Sequence, residues 1–547
     1  MHIYCQPSTQ AEDHTMALPD RNNPYSFDAF LEWRNHVNYY QDDLFFRKTV
    51  RHFVGGEWEK IDKAAKALSE KVSFRWRDFA DTIATPDKRP YMTHYDGHNH
   101  RIDRIVRPAE TLIMEKEVFG EGLFSKKTSP WEKLVKMYLI YQNSEAGVVC
   151  PLTCTEGLVE LMRAFSRTPE LETILGHLSE GMDGDFAIGA QYLSEIQGGS
   201  DVPANLLEAV PENGLFRLYG KKFFCSATHA DYAVVTAKPV GSEKIGLFIV
   251  PSWLPRDKEK EIRNGYTIDR IKWKMGTCEL PTAEITYNGA VAYPIGPLER
   301  GLANVVGIVL TYSRLTVGIG GAAGMARAVR EAKRYAAFRT AFGVPIDQFP
   351  MLANQLEQME WCAKRTTAGA FKLYQSFLRF RDGLNQKLDG RGNVPLQKDR
   401  FNVRELIMLQ KIATTKDVLD MSRLGMSVYG GHGVMEDFSS MPRMFRDGMI
   451  NELWEGPRNV LLTQIYLDFH KVREWYSPKE FVRNILKDSD ESIVETLEEE
   501  IHQLISHGTL LQMDEETKKV CSRWDQFCHD LFHAYQNQAL KEVEKDG

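Results

Sequence analysis

A carboxylate between an aromatic ring and a glycine, in Trp454-Glu455-Gly456, is the strongest candidate for chemistry in this sequence. Apolar residues precede it and a Gly-Pro helix start follows, so Glu455 falls where one helix gives way to the next. Partial desolvation disfavours a charged carboxylate and raises its pKa, which suits a general base. The plainer alternative is a glutamate near a helix start, favoured there by the macrodipole. A base also needs a substrate and an electron sink.

Three other stretches, far apart in the chain, each look like half of a ligand site. Gln191 to Asp201 contains Ser194 and a Gly198-Gly199-Ser200 turn, where backbone N–H groups and hydroxyls can approach a ligand closely, or which is a plain turn. Gly220 to Ser226 mixes Phe223 and Phe224 with Cys225 and Ser226, as a ligand-facing strand or an ordinary half-buried one does. Phe338 to Gly343 offers Arg339 and Phe342, a cation and a ring suited to a nucleotide diphosphate and its base; an ordinary helix C-cap looks similar.

Arg314 stands in the apolar run from Val305 to Met325. The run is long enough for a membrane span, but the arginine at its middle and the lack of a basic flank argue for a buried helix. Gly318, Gly320, Gly321 and Gly324 allow close helix approach, and their spacing is not a dinucleotide fingerprint. Buried, Arg314 needs an anionic or carbonyl partner.

The elements that position these residues follow from periodicity. Residues 1–24 read as a flexible leader without an apolar core, 25–183 as a helical domain, and 184–296 as a small antiparallel β domain with turns at Asn213-Gly214 and Asn288-Gly289. Residues 297–475 read as a helical bundle, broken by a loop from Gly383 to Lys398. Residues 476–547 read as a further helical domain; from Lys471 on, ten Lys and Arg face seventeen Asp and Glu, a net of −7. Three histidines in the turn Thr93 to His100 could bind a metal or simply populate a loop.

The 547 residues are 43% apolar and 26% charged, ordinary for a soluble globular protein, and the net charge of −7 gives no general pull toward nucleic acid. Eight scattered cysteines suggest reduced thiols and a cytoplasmic setting; Cys150 and Cys154, four apart, lack a second ligand pair at zinc spacing.

In this order, and on this helix, β, helix background, the segments resemble the acyl-CoA dehydrogenase family over roughly Arg101 to Leu467. The most specific elements are Glu195-x-x-Gly-Gly-Ser-Asp201, Arg339-x-x-Phe-Gly343, Gly430-Gly-His-Gly433 with Arg446-Asp447, and Trp454-Glu-Gly456. Arg314 precedes Arg339 by the twenty-five positions usual in that family. The resemblance implies a mainly α, α+β fold: an N-terminal helical domain, a middle β-barrel or sandwich and a C-terminal four-helix bundle, here with an extra helical domain.

It further implies FAD, an acyl-CoA substrate, and Glu455 as the base that removes the α proton while hydride leaves the β carbon, with Arg314 beneath it. Leu193, Ser194, Phe224 and Ser226 would line the flavin, and Ser200 and Gly456 would meet the substrate. Arg339, Phe342, Gly430, Gly431, Gly433 and Asn459 would hold FAD across a subunit boundary in a homotetramer, a dimer of dimers. An electron-transfer flavoprotein would take the electrons. In members that carry the base five positions beyond the first arginine, it would stand at Ile319, which leaves Glu455 without a rival.

Pro457 stands where most members have threonine, and Phe224 where tryptophan is usual. The wording of the motifs is most similar to the alkylation-response, AidB-like branch. That branch suggests an alternative, a flavoprotein with a DNA-associated or protective role and little dehydrogenase activity. The acidic C-terminal region argues against DNA.

Overall fold

The computed structural model describes residues 26–181 and 184–545; the leader expected over 1–24 lies outside them. A helix, Asp28–His36, belongs to a small unit that ends at Val37, and the chain from Asn38 onward forms a second compact unit.

Helix dominates from Leu44 to Glu180. Leu44–Val54 begins where the Asp43 side chain accepts the Phe46 N–H, and it buries Phe46, Val50 and Phe53 on one face. Pro130–Tyr141 and Pro169–Glu180 each open on a hydroxyl cap, Ser129 or Thr168, with proline in the first turn. Ala146–Phe165 is buried over most of its length and crosses the core. One hairpin interrupts the helices: β1 (Tyr91–Tyr95) and β2 (Arg101–Val106) flank the turn that carries the histidines. The histidines do not converge, since His94 Nδ1 lies 2.8 Å from Asp103 and His100 Nδ1 3.1 Å from Asp96.

From Gly189 to Pro294 the chain forms β3 (Gly189–Tyr192), β4 (Glu208–Glu212), β5 (Leu215–Ser226), β6 (Tyr232–Pro239), β7 (Gly246–Pro251), β8 (Tyr266–Ile271) and β9 (Thr282–Pro294). The order β3-β6-β4-β5-β9-β7, with β7 pairing back onto β6, closes five strands into a small barrel; β3 joins it at β6 and β8 at β9. Asn213 (φ +50°) and Gly214 (φ +81°) make the tight β4–β5 turn, whose two left-handed positions suit Asn-Gly. The barrel is not wholly antiparallel as expected: β3 and β4 both run parallel to β6. Strands that meet by crossover rather than hairpin are free of the antiparallel constraint.

After the barrel the chain builds a bundle from Thr311–Phe338, Pro350–Phe380, Val394–Tyr429, Met441–Leu453 and Arg458–Val472. The third of these starts inside the expected loop, because Asn393 caps the Leu396 N–H and Pro395 occupies the first turn. Residues Leu298–Phe338 are long and apolar enough to cross a membrane, yet most of the apolar window is buried in the protein. The closeness depends on missing side chains: a Cβ on Gly318 would stand 2.2 Å from Gln410 Nε2, and one on Gly321 2.5 Å from Thr414 Cγ2.

Beyond Tyr476 lie Pro478–Ile485, Glu491–Ser506 and Glu515–Lys545. The last packs on Pro350–Phe380 and Val394–Tyr429, while Trp524 Nε1 donates to the Leu462 carbonyl at 2.9 Å.

The packing of Thr311–Phe338 on Val394–Tyr429 predicts a contrast between neighbouring glycines. Gly321→Val is expected to lower stability by about 1–3 kcal/mol in denaturant unfolding through overpacking. At Gly320 the nearest atom to an added Cβ is 3.6 Å away. Gly320→Ala should therefore leave stability unchanged or raise it by up to about 1 kcal/mol through helix propensity.

Candidate active site

Trp454-Glu455-Gly456 forms the turn between Met441–Leu453 and Arg458–Val472. Glu455 itself adopts a left-handed backbone (φ +60°), uncommon for a side chain of this size, and Gly456 follows at φ +99°. Two buried cations hold the turn by its carbonyls. Arg314 Nε donates to the Glu455 carbonyl at 2.8 Å, and Lys411 Nζ donates to the carbonyls of Glu452 and Gly456, both at 2.8 Å. The partner that a buried Arg314 requires is therefore a carbonyl. A Cβ on Gly456 would sit 2.9 Å from Leu461 Cδ2, so both the backbone angle and the packing of Leu461 favour glycine here.

With the backbone braced, the Glu455 side chain points into a cavity of about 1470 Å3. Gln191 Nε2, from β3, donates to Oε1 at 2.7 Å; Oε2 is buried without a hydrogen-bond partner. Burial pushes this carboxyl up to about 7, against the opposing pull of the Arg314 and Lys411 charges and the Gln191 hydrogen bond. Burial likewise pulls Lys411 down to about 7, with the Glu455 charge working the other way. A carboxyl poised near neutrality in the lining of a cavity, with one oxygen unpartnered, is equipped to take a proton from a bound molecule.

Opposite Glu455, the barrel supplies a second wall of Leu193, Ser194, Phe224 and Ser226, with Ser200 further along the lining. A buried ion pair sets this wall's shape. Lys222 Nζ lies 2.9 Å from Glu195 and 3.0 Å from the Leu193 carbonyl, while the Glu195 carboxylate accepts the N–H groups of Leu206 and Leu207. Gly199 comes so close that a Cβ would stand 2.3 Å from Ser194 Oγ. Phe224 is half exposed and Ser226 Oγ lies 3.1 Å from Thr282 Oγ1. Leu302, Val306, Leu310, Ile407, Met408 and Leu461 continue the lining as an apolar extension. Here the backbone at Val305–Leu310 is a widened π turn, a feature frequent at functional sites.

The remaining expected site residues gather elsewhere. Arg339 ends Thr311–Phe338, twenty-five residues beyond Arg314, which is about 37 Å along a helix. Phe342 stands almost wholly exposed on a left-handed turn (φ +52°). The turn Gly430–Val434 is brought to the same end by Tyr335, which stacks on Tyr429 at 4.2 Å and reaches His432 Nδ1 at 3.1 Å. Gly430 and Gly431 are exposed with open space where a Cβ would be, while Gly433 is buried. Asn459 is exposed on the first turn of Arg458–Val472, and Pro457 serves as that helix's N-cap. Within one chain, then, the structure places Glu455, Arg314, Leu193, Ser194, Ser200, Phe224, Ser226 and Gly456 about one cavity, and Arg339, Phe342 and the glycine turn at the far end of the bundle.

Three residues of the site carried no assigned role in the sequence. Gln191 lies inside a stretch already singled out, and a lysine that follows the apolar run Leu406 to Leu409 is a usable sign for Lys411. The third is Glu405, fully buried with both carboxylate oxygens unpartnered; burial and the nearby Asp468 push it well above the usual carboxylate range, opposed by Arg404, Lys471 and Arg314. Its burial favours the protonated form, and the Arg314 charge is among those that oppose this.

The two descriptions "Acyl-CoA dehydrogenase, middle domain" and "Acyl-CoA dehydrogenase, C-terminal domain" match residues 190–290 and 299–467. Acyl-CoA dehydrogenase family member 11 of Caenorhabditis elegans is 26% identical over 447 residues, covering 78% of this chain and 69% of its own. AidB of Escherichia coli strain K12 is 26% identical over 398 residues, covering 69% and 68%. The solved structure of Caenorhabditis elegans ACDH-11 in complex with C11-CoA shares the fold, with a TM-score of 0.75 and 21% identity over 93% of this chain and 91% of that one.

The raised carboxyl has a consequence for stability. Between the ordinary glutamate value of 4.5 and the folded value of about 7, the native state binds more protons than the unfolded one, so stability falls as pH rises through that window. Glu455→Gln is expected to exceed the parent by about 1–3 kcal/mol above the folded value, and to converge with it at acid pH. Denaturant midpoints across pH measure this, and parallel curves for the two proteins would contradict it.

Proposed function

The chain belongs to the acyl-CoA dehydrogenase family and is an oxidoreductase, and on that premise we propose that it desaturates an acyl-CoA thioester between its α and β carbons, with Glu455 as base and FAD as cofactor. The observation that supports this reading is a glutamate in the lining of the large cavity whose Oε2 is buried without a hydrogen-bond partner.

The residues present fit the cofactor of the family. Leu193, Ser194, Phe224 and Ser226 offer a flat ring, hydroxyls and backbone on one wall, and the absent side chain at Gly199 keeps the Ser194 hydroxyl accessible. FAD bound there supplies the two-electron sink for the hydride that leaves the β carbon. Glu455 does the proton work: its free oxygen takes the α proton, and burial keeps its affinity for that proton high enough for transfer near neutral pH. Arg314 and Lys411 touch the turn through carbonyls, so they fix where the carboxylate stands while leaving Oε2 free to react. Gln191 orients the other oxygen. The apolar extension past Val306, Leu310 and Met408 suits the hydrocarbon tail of the acyl group, and its burial of that tail excludes water from the base.

Arg339, Phe342, Gly430, Gly431 and Gly433 stand too far along the bundle to serve their own chain's cavity, and Asn459 lies on an exposed face. We assign the first group to the adenine and pyrophosphate end of FAD held by a neighbouring copy, in a dimer of dimers, with an electron-transfer flavoprotein as acceptor. This proposal makes cofactor retention depend on assembly. Arg339→Ala combined with Phe342→Ala is expected to lower FAD occupancy and weaken the oligomer together, read by flavin absorbance and sedimentation. Full occupancy in a monomer would contradict it.

Catalysis is tested by anaerobic bleaching of the flavin with acyl-CoAs from short to very long chain. The parent should bleach with a subset of them. Glu455→Gln should retain FAD and bleach about 10^2–10^4-fold more slowly, the usual contribution of a positioned base. Failure of every chain length to bleach the parent would sink the dehydrogenase reading.

A further inference from the structure

Away from the cavity, three metal-ligating side chains meet where the last helix crosses the bundle. Asp417, on Val394–Tyr429, lies between His529 and His533, which share one face of Glu515–Lys545 a single turn apart. His529 Nε2 is 3.1 Å from Asp417 Oδ1 and His533 Nε2 is 2.8 Å from Oδ2. All three donor atoms lie within 4.8 Å of one another, and the side chains are 8–17% exposed. We propose that Asp417, His529 and His533 bind a divalent transition-metal ion of the Zn2+ class, which fastens the C-terminal helix to the bundle.

The argument rests on what now stands among these donors. Arg365, buried on Pro350–Phe380, brings Nη2 to 2.9 Å from His533 Nε2, 3.5 Å from Asp417 Oδ2 and 3.7 Å from Cys362 Sγ. One ring nitrogen cannot serve both of its neighbours. Protonated, His533 Nε2 donates to Asp417 but opposes the Arg365 N–H; unprotonated, it accepts from Arg365 but opposes the carboxylate. Arg365 Nε also lacks a partner, so the guanidinium is only partly satisfied where it stands among these donors.

A metal ion resolves the conflict, because it takes lone pairs from both imidazoles and from the carboxylate at once. Zn2+ accepts His nitrogen and carboxylate oxygen at about 2.0–2.2 Å in a tetrahedron, which spaces donors by about 3.4 Å. The two histidine–carboxylate separations, 3.1 and 2.8 Å, are shorter than that, so binding needs the donors to part by only about half an ångström. Arg365 has somewhere to go: its guanidinium already lies 4.4 Å from the centre of the half-exposed Trp361 ring. Water completes the fourth position.

The test uses the untagged, FAD-loaded protein after chelator treatment, titrated with Zn2+ by calorimetry. The parent should bind one equivalent more than His529→Gln/His533→Gln, and Zn2+ should raise the melting temperature of the parent alone. Arg365→Met removes the competing cation and should bind Zn2+ at least tenfold more tightly than the parent. Equal stoichiometry in the parent and a folded double-histidine variant would overturn the proposal. Should that variant fail to fold, an Arg365→Met affinity no tighter than the parent's overturns it.

Discussion

The site depends on a backbone contact: Arg314 Nε to the carbonyl of Glu455, across the closely packed helices of the bundle. A guanidinium that paired with the carboxylate itself would lower its proton affinity and occupy the oxygen that has to react. By taking the carbonyl instead, Arg314 stabilises a left-handed turn and leaves burial as the dominant influence on the side chain. Lys411 repeats the device on the residues either side. Arg314 and Lys411 thus stand close to Glu455 while bonded to the turn's carbonyls rather than to its carboxylate.

The rest of the fold brings these contacts together. Gly318 and Gly321 let Thr311–Phe338 press against Val394–Tyr429, which sets Arg314 and Lys411 beneath one turn. Gly456 lets that turn pack against Leu461. The barrel delivers Gln191 at the end of β3 and, through the Glu195–Lys222 pair, the Ser194 wall across the cavity. The helices supply the two cations beneath Glu455, and β3 supplies the Gln191 hydrogen bond that lowers its proton affinity.

Much of this was legible in the sequence, for identifiable reasons. Glu455 was visible because a carboxylate beside an aromatic ring and a helix break is chemically unusual, and Arg314 because a lone cation in an apolar helix needs a partner. The closing of five strands into a barrel, with β3 and β4 parallel to β6, was not, because strand pairing out of chain order leaves no local mark. The β1–β2 hairpin was too short to show against the helical periodicity around it. Glu405 and Gln191 look like ordinary polar residues until burial is known, and the meeting of Asp417 with two histidines more than a hundred residues later is a product of tertiary packing alone. Motif order brought Arg339 and Glu455 into one reading, whereas the helix between them sets the two ends of the bundle about 37 Å apart.

Burial, opposed but not cancelled by Arg314 and Lys411, tunes Glu455 to the neutral range. The most direct test is the single-turnover rate of anaerobic flavin reduction by a saturating acyl-CoA, followed against pH. The account predicts a rate that rises with pH as one group ionises at about 7, with the inflection lost in Glu455→Gln. An inflection near the ordinary glutamate value of 4.5, or a rate flat through neutrality, would contradict it.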